Sequence, residues 1–129
     1  MKLGYYSYTT HIDHDVGDMH PEHPMRIIAI NHQLERLGLL QDAHQGGCSH
    51  VAQQDLLRAH KRGYIEQLLI MSPANGSILA CVDTPMAVGS LNVAYQAAGC
   101  VVEALDDLLQ HKVDRAFCAV RPPGHHAEK

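Results

Sequence analysis

The sequence predicts an α/β fold with a parallel sheet flanked by helices, on three observations. Extended and helical segments alternate along the chain, the pattern that gives parallel strands joined by crossover helices. The run Ala116 to Val120 is continuously apolar, as suits a strand covered on both faces. Met86 to Gln110 is a long segment of helical period, rich in small residues, suited to lie close against a sheet.

Taken in order, Leu3 to Tyr8 is aromatic-rich and followed by polar residues, which predicts a first strand. Thr9 to His23 is a polar loop. Pro24 sits where a helix would start, with Ile27, Ile30, Leu34 and Leu37 at helical spacing behind it and Gly38 as the stop. The stretch after Gly38 predicts a short strand or extended segment with a turn at Gly46-Gly47. Ala52 to Ser72 carries Leu56, Leu57, Ile65, Leu68 and Leu69, and predicts two short helices meeting near Gly63. "SPANGS" is a loop, and Ile78 to Val82 is a short apolar run ending in Asp83-Thr84-Pro85. In the long helix Leu91, Ala94, Ala98, Val101, Leu105 and Leu108 form the apolar stripe. Gly89, Ala97, Ala98 and Gly99 supply the small residues.

A chain of 129 residues suits one domain. With 46% hydrophobic and 19% charged residues a buried core is feasible. The net charge of −4 and the lack of a basic patch argue against a nucleic-acid partner. No segment is apolar for long enough to span a membrane, and the start lacks the apolar core of a signal peptide. The four cysteines form no C-x-x-C pair, and three lie in apolar segments. Reduced, mostly buried thiols in a cytoplasmic protein are therefore expected, with Cys48, beside the glycine pair, the candidate for exposure.

Ligands of open α/β sheets bind beyond the carboxyl ends of the strands, and "RPPGHH" begins where the last apolar run ends. Pro122 and Pro123 fix their own φ, and Gly124 permits a sharp or left-handed turn. His125 and His126 are thus presented on a stiff loop at the place where sites form. Two adjacent imidazoles suit proton transfer, one as base and one as acid or electrostatic stabiliser.

"RPPGHHAE" resembles the catalytic-loop motif of the zinc-dependent histone deacetylase family, in its class II and bacterial deacetylase-like form. "HPEHPMRI" at 20–27 resembles that family's H-P-E-x-P-x-R-[IL] segment. His60 with Tyr64 and Ile65 resembles its H-x3-Y-[IL] segment. "VDTPM" followed by "AYQAAG" resembles its D-T stretch and alanine-rich helix. The matches run in the family's order along the whole chain. The resemblance implies an arginase-like sheet and hydrolysis of an N-acetyl amide, on lysine or a polyamine. It implies a Zn²⁺ ion that polarises the carbonyl and activates water. It makes His125 and His126 the catalytic pair. It places Arg26 near the floor of the active-site tunnel, Asp83 at the substrate-gripping rim, and Gly124 with Pro123 along the wall beside the histidines.

The family's zinc ligands and transition-state tyrosine lie in segments this sequence does not contain. Residues 1–129 are therefore expected to be the N-terminal portion of one catalytic domain, which leaves the apolar strand with an open edge. Such a chain is expected to be poorly soluble, or oligomeric, unless the C-terminal remainder is present. The alternative is a catalytically silent α/β module that binds a partner or a metal ion. For the metal it offers the loop 11–23, with His11, Asp13, His14, Asp15, Asp18, His20, Glu22 and His23. Asp83 also has a second reading, as a cap for the turn that follows it.

Overall fold

A computed structural model describes residues 1–18, 20–81 and 83–127, without the side chain of Cys81. The expectations that touch Met19, Val82, Glu128 and Lys129, and the Cys81 thiol, lie outside the described residues.

The chain runs β1 (Leu3–Tyr6), a 3₁₀ turn (Thr9–Asp13), α1 (Met25–Arg36), β2 (His44–Gln45), α2 (Gln53–Ala59) and α3 (Arg62–Met71). It continues through β3 (Ser77–Cys81), β4 (Thr84–Ala87), α4 (Ser90–Leu109), β5 (Arg115–Cys118) and a last 3₁₀ turn (Gly124–His126). The sheet has the order β2-β1-β5 and is parallel throughout, with Tyr5 opposite both Gln45 and Phe117. Successive strand residues face opposite ways. Tyr5 therefore joins Ile27 and Ala119 under α1, while Tyr6 joins Val93, Ala97, Cys100 and Ala104 under α4.

Helix α1 forms as its signals predict. It starts behind Pro24 and ends at Gly38, which sits at φ +68. The Gly38 N–H donates to Glu35 and the Leu39 N–H to Leu34, the hydrogen bonding of a Schellman C-cap. Helices α2 and α3 meet at the extended residues His60 and Lys61 rather than at Gly63, which lies inside α3.

Three expectations are corrected. First, the run at 78–82 does not enter the parallel sheet. Its β3 forms a separate antiparallel hairpin with β4, and the residues from Met86 that read as helix are spent on that pairing. Helix α4 starts only at Ser90, whose Oγ accepts the Ala87 N–H.

Second, α4 turns a different face inward. The buried stripe is Val93, Ala97, Cys100 and Ala104, while Val101 and Leu105 are exposed. Small residues win the inner face because the helix approaches backbone closely. A Cβ on Gly99 would stand 1.9 Å from the Ser49 carbonyl oxygen and 2.6 Å from the Val51 nitrogen. Gly99→Ala is therefore expected to destabilise by about 1–3 kcal/mol, read as a lowered denaturant midpoint. An unchanged midpoint would show that the 49–51 segment yields freely.

Third, β5 is covered on one face only. Ala116 and Cys118 pack toward α4, while Phe117 is 45% exposed. Among the described residues β5 pairs with β1 alone.

The cysteines differ too. Cys48 and Cys100, expected as thiols, are joined by a disulfide, and Cys48 is fully buried. The close seat of α4 on the segment after Cys48 brings their Cα atoms within 4.2 Å. Cys118 is free. No helix among the described residues is long and apolar enough to cross a membrane.

Candidate active site

β5 carries the chain to the carboxyl end of the sheet, where Ala119 donates its N–H to the Tyr6 carbonyl. The Arg121–Pro122 peptide is cis. Pro123, extended at φ −69 and ψ 143, precedes the final 3₁₀ turn, which the Ala127 N–H closes on the Gly124 carbonyl. Gly124 is thus not left-handed, and a Cβ there would meet open space.

His125 and His126 are exposed, with ring centroids 4.3 Å apart. The hairpin turn brings Asp83 to the same place, its carboxylate 3.6 Å from His126 Nε2. Residues more than forty positions apart in sequence thus come together in one exposed group. Arg26 does not join them. It is exposed, and its Nη1 lies 3.4 Å from Glu22.

Beneath the histidine loop lies a buried ionic network. Arg121 is fully buried and grips the Glu22 carboxylate through Nε at 3.0 Å and Nη2 at 2.7 Å. Its Nη1 donates to the His11 carbonyl, and its own carbonyl accepts the Tyr8 hydroxyl. His14 lies 3.4 Å from Glu22 through Nε2 and 2.6 Å from Ser90 Oγ through Nδ1. Burial opposes the charge on Glu22, yet hydrogen bonds from His14 and Arg121 hold its carboxyl at about 2. Burial, then the Arg121 charge, holds His11 below the usual imidazole range. Burial pushes the Tyr8 phenol up to about 12.

The acid dependence of stability follows. Glu22 has a folded pKa below its ordinary 4.5, so its contribution is full above about pH 4.5 and is lost as pH falls toward 2. Glu22→Gln is expected to flatten the stability profile across that window. An identical slope in both proteins, measured by denaturation at stepped pH, would refute this.

The polar loop 11–23 is therefore not a free set of metal ligands. His14 and Glu22 are engaged inward, and His11 is buried. Among the described residues no three His, Cys, Asp or Glu side chains gather around a point where an ion could sit. The residues present do not by themselves fit the zinc that the resemblance implies.

The sequence reading used Arg121 only as part of a motif and missed its burial, together with Tyr8, His14 and Ser90 as supports. A cation closing an apolar run was the one local signal. Its partner is 99 residues away.

Residues 20–129 match the family model described as the histone deacetylase domain. The chain belongs to the histone deacetylase family. It is 34% identical over 107 residues to the histone deacetylase-like amidohydrolase of Pseudomonas aeruginosa, covering 83% of this chain and 28% of that protein. It is 28% identical to a probable deacetylase of Archaeoglobus fulgidus, over 99% of this chain and 36% of that one. Histone deacetylase 5 of Arabidopsis thaliana is 31% identical, over 98% of this chain and 20% of its own length. The chain thus spans well under half of each of these relatives. Its fold is similar to the solved HDA15 HD domain, with a TM-score of 0.89 at 24% identity, over 98% of this chain and 37% of that one. Against the family frame, the tandem histidines and Asp83 fall inside the matched region, as do Glu22 and Arg121.

Proposed function

We propose that residues 1–129 are the N-terminal portion of a single deacetylase catalytic domain, and that the whole protein hydrolyses N-acetyl amides of the acetyl-lysine or acetylpolyamine kind. The observation that carries this reading is the tandem imidazole pair at the carboxyl end of the parallel sheet, with the Asp83 carboxylate 3.6 Å from His126.

In this reading one imidazole takes a proton from water as its oxygen attacks the acetyl carbonyl. The C–N bond then breaks, and the amine leaves with a proton from the pair. Acetate and a free amine are the products. Asp83 holds the His126 ring or the substrate backbone at the rim. Pro123 and Gly124 form the wall, whose open space leaves room for an extended acyl-bearing chain. Arg26 stays assigned to the far end of the substrate channel. Zinc would be held by side chains of the rest of the domain, where it would polarise the acetyl carbonyl.

The test is bound zinc and acetate release from a fluorogenic acetyl-lysine peptide and from an N-acetylated polyamine. It is run on this chain and on the natural full-length protein. Zinc and turnover in the full-length protein support the reading. Zinc held stoichiometrically by the 129-residue chain, with no turnover in either, would favour the metal-binding module instead.

A further inference from the structure

Glu22 is one carboxylate shared by three separate segments. Arg121 binds it in a two-pronged grip from the base of the histidine loop. His14 reaches it from the polar loop. Through His14 it is tied to Ser90, whose Oγ also receives the Ala87 N–H at the end of the hairpin that presents Asp83. The two halves of the exposed group, Asp83 and the histidine pair, are therefore anchored to the same partly buried acid.

We propose that Glu22 is a positioning residue: acting through Arg121 on one side and through His14 and Ser90 on the other, it sets the placement of His125 and His126 relative to Asp83. This rests on the deacetylase reading for its kinetic consequence, but not for its geometric one. Glu22 does not touch the reacting group. Its nearest route to His125 runs through the Arg121 guanidinium and the cis Arg121–Pro122 peptide. The grip is bidentate, so it fixes the orientation of Arg121 as well as its charge. The guanidinium is fully buried and the Glu22 side chain is only 12% exposed, so water competes little for the joint. Arg26 meets the same carboxylate from the solvent side at 3.4 Å.

The test uses the natural full-length protein with ¹³C,¹⁵N-labelled histidine. Ring signals of His125 and His126, and the cross-relaxation between the two rings, are compared in the wild type, Glu22→Gln and Arg26→Gln. Turnover of the acetyl-lysine peptide is measured in parallel. Glu22→Gln is expected to move both ring signals, weaken their cross-relaxation and lower kcat by about tenfold to a hundredfold, the scale set by a displacement near 1 Å. KM should change less than kcat, because the loss falls mainly on the placement of the proton-transfer rings. Arg26→Gln is expected to leave the ring signals in place. If Glu22→Gln does not fold, Arg121→Lys provides the same comparison, since it keeps the cation and loses the two-pronged grip. Unmoved ring signals in a folded variant overturn the proposal, even if its melting temperature falls. Moved ring signals in a protein whose wild type shows no turnover sustain the positioning role and remove the deacetylase reading instead.

Discussion

Replacing Glu22 with alanine is expected to destabilise the fold by about 3–5 kcal/mol, the cost of leaving a buried charge without its partner. Arg121 is fully buried and donates twice to that carboxylate. Its other donations go to backbone carbonyls, of His11 and of Glu22, and carbonyl dipoles do not neutralise a guanidinium. His14 loses its acidic neighbour as well. A double replacement, Glu22→Ala with Arg121→Met, should recover much of the loss, because removing both charges also removes the desolvation cost. Denaturant midpoints of the two single variants and the double one measure the coupling. Strict additivity would mean that the pair does not act as a unit.

His126→Asn and His125→Asn are each expected to lower kcat of the full-length protein by about 10²–10⁴, the range for loss of a positioned acid–base group. The rings are 4.3 Å apart, so neither is far enough from the other to have a separate environment. The two losses should then combine less than multiplicatively, as for residues that work as one unit. Both histidines are exposed, so folding stability should change by less than about 0.5 kcal/mol. That separation between stability and turnover is the diagnostic. A variant that keeps wild-type kcat would remove its histidine from the chemistry.

What the sequence made legible was local. Pro24 and Gly38 bracket α1 because a fixed φ and a left-handed stop act within one turn of the helix. Alternation in β1 sends Tyr5 and Tyr6 to opposite faces for the same reason. The strand-then-turn context of "RPPGHH" was enough to locate the histidine pair. The losses came where distant contacts decide. Helix α4 offers two stripes at helical spacing, and hydrophobicity favours the one with Val101 and Leu105. Closeness to the Ser49 carbonyl favours the one with Ala97 and Cys100, and no residue near α4 in sequence announces that carbonyl. Likewise Met86 and Ala87 read as the start of a helix until β3 is there to pair with them. Glu22 stood in the motif at 20–27 and among the candidate ligands of the polar loop, and only the return of the chain at Arg121 gives it its partner.

The central strand has a further consequence, in time rather than in space. β1 takes Gly4 and Tyr5 to partners at His44 and Gln45, and its other edge to Arg115 through Cys118. More than a hundred residues must be made before that second edge is paired. At the usual rate of synthesis the interval is about 5–20 s. Through it β1 keeps one bare ladder edge, while Tyr6 waits for the helix that will cover it. Pairing across so long a loop is also slow for entropic reasons. Nascent chains of this protein should therefore need the second edge of β1 shielded early in synthesis, and the need at that edge should end once residues 115–118 have emerged and paired with it.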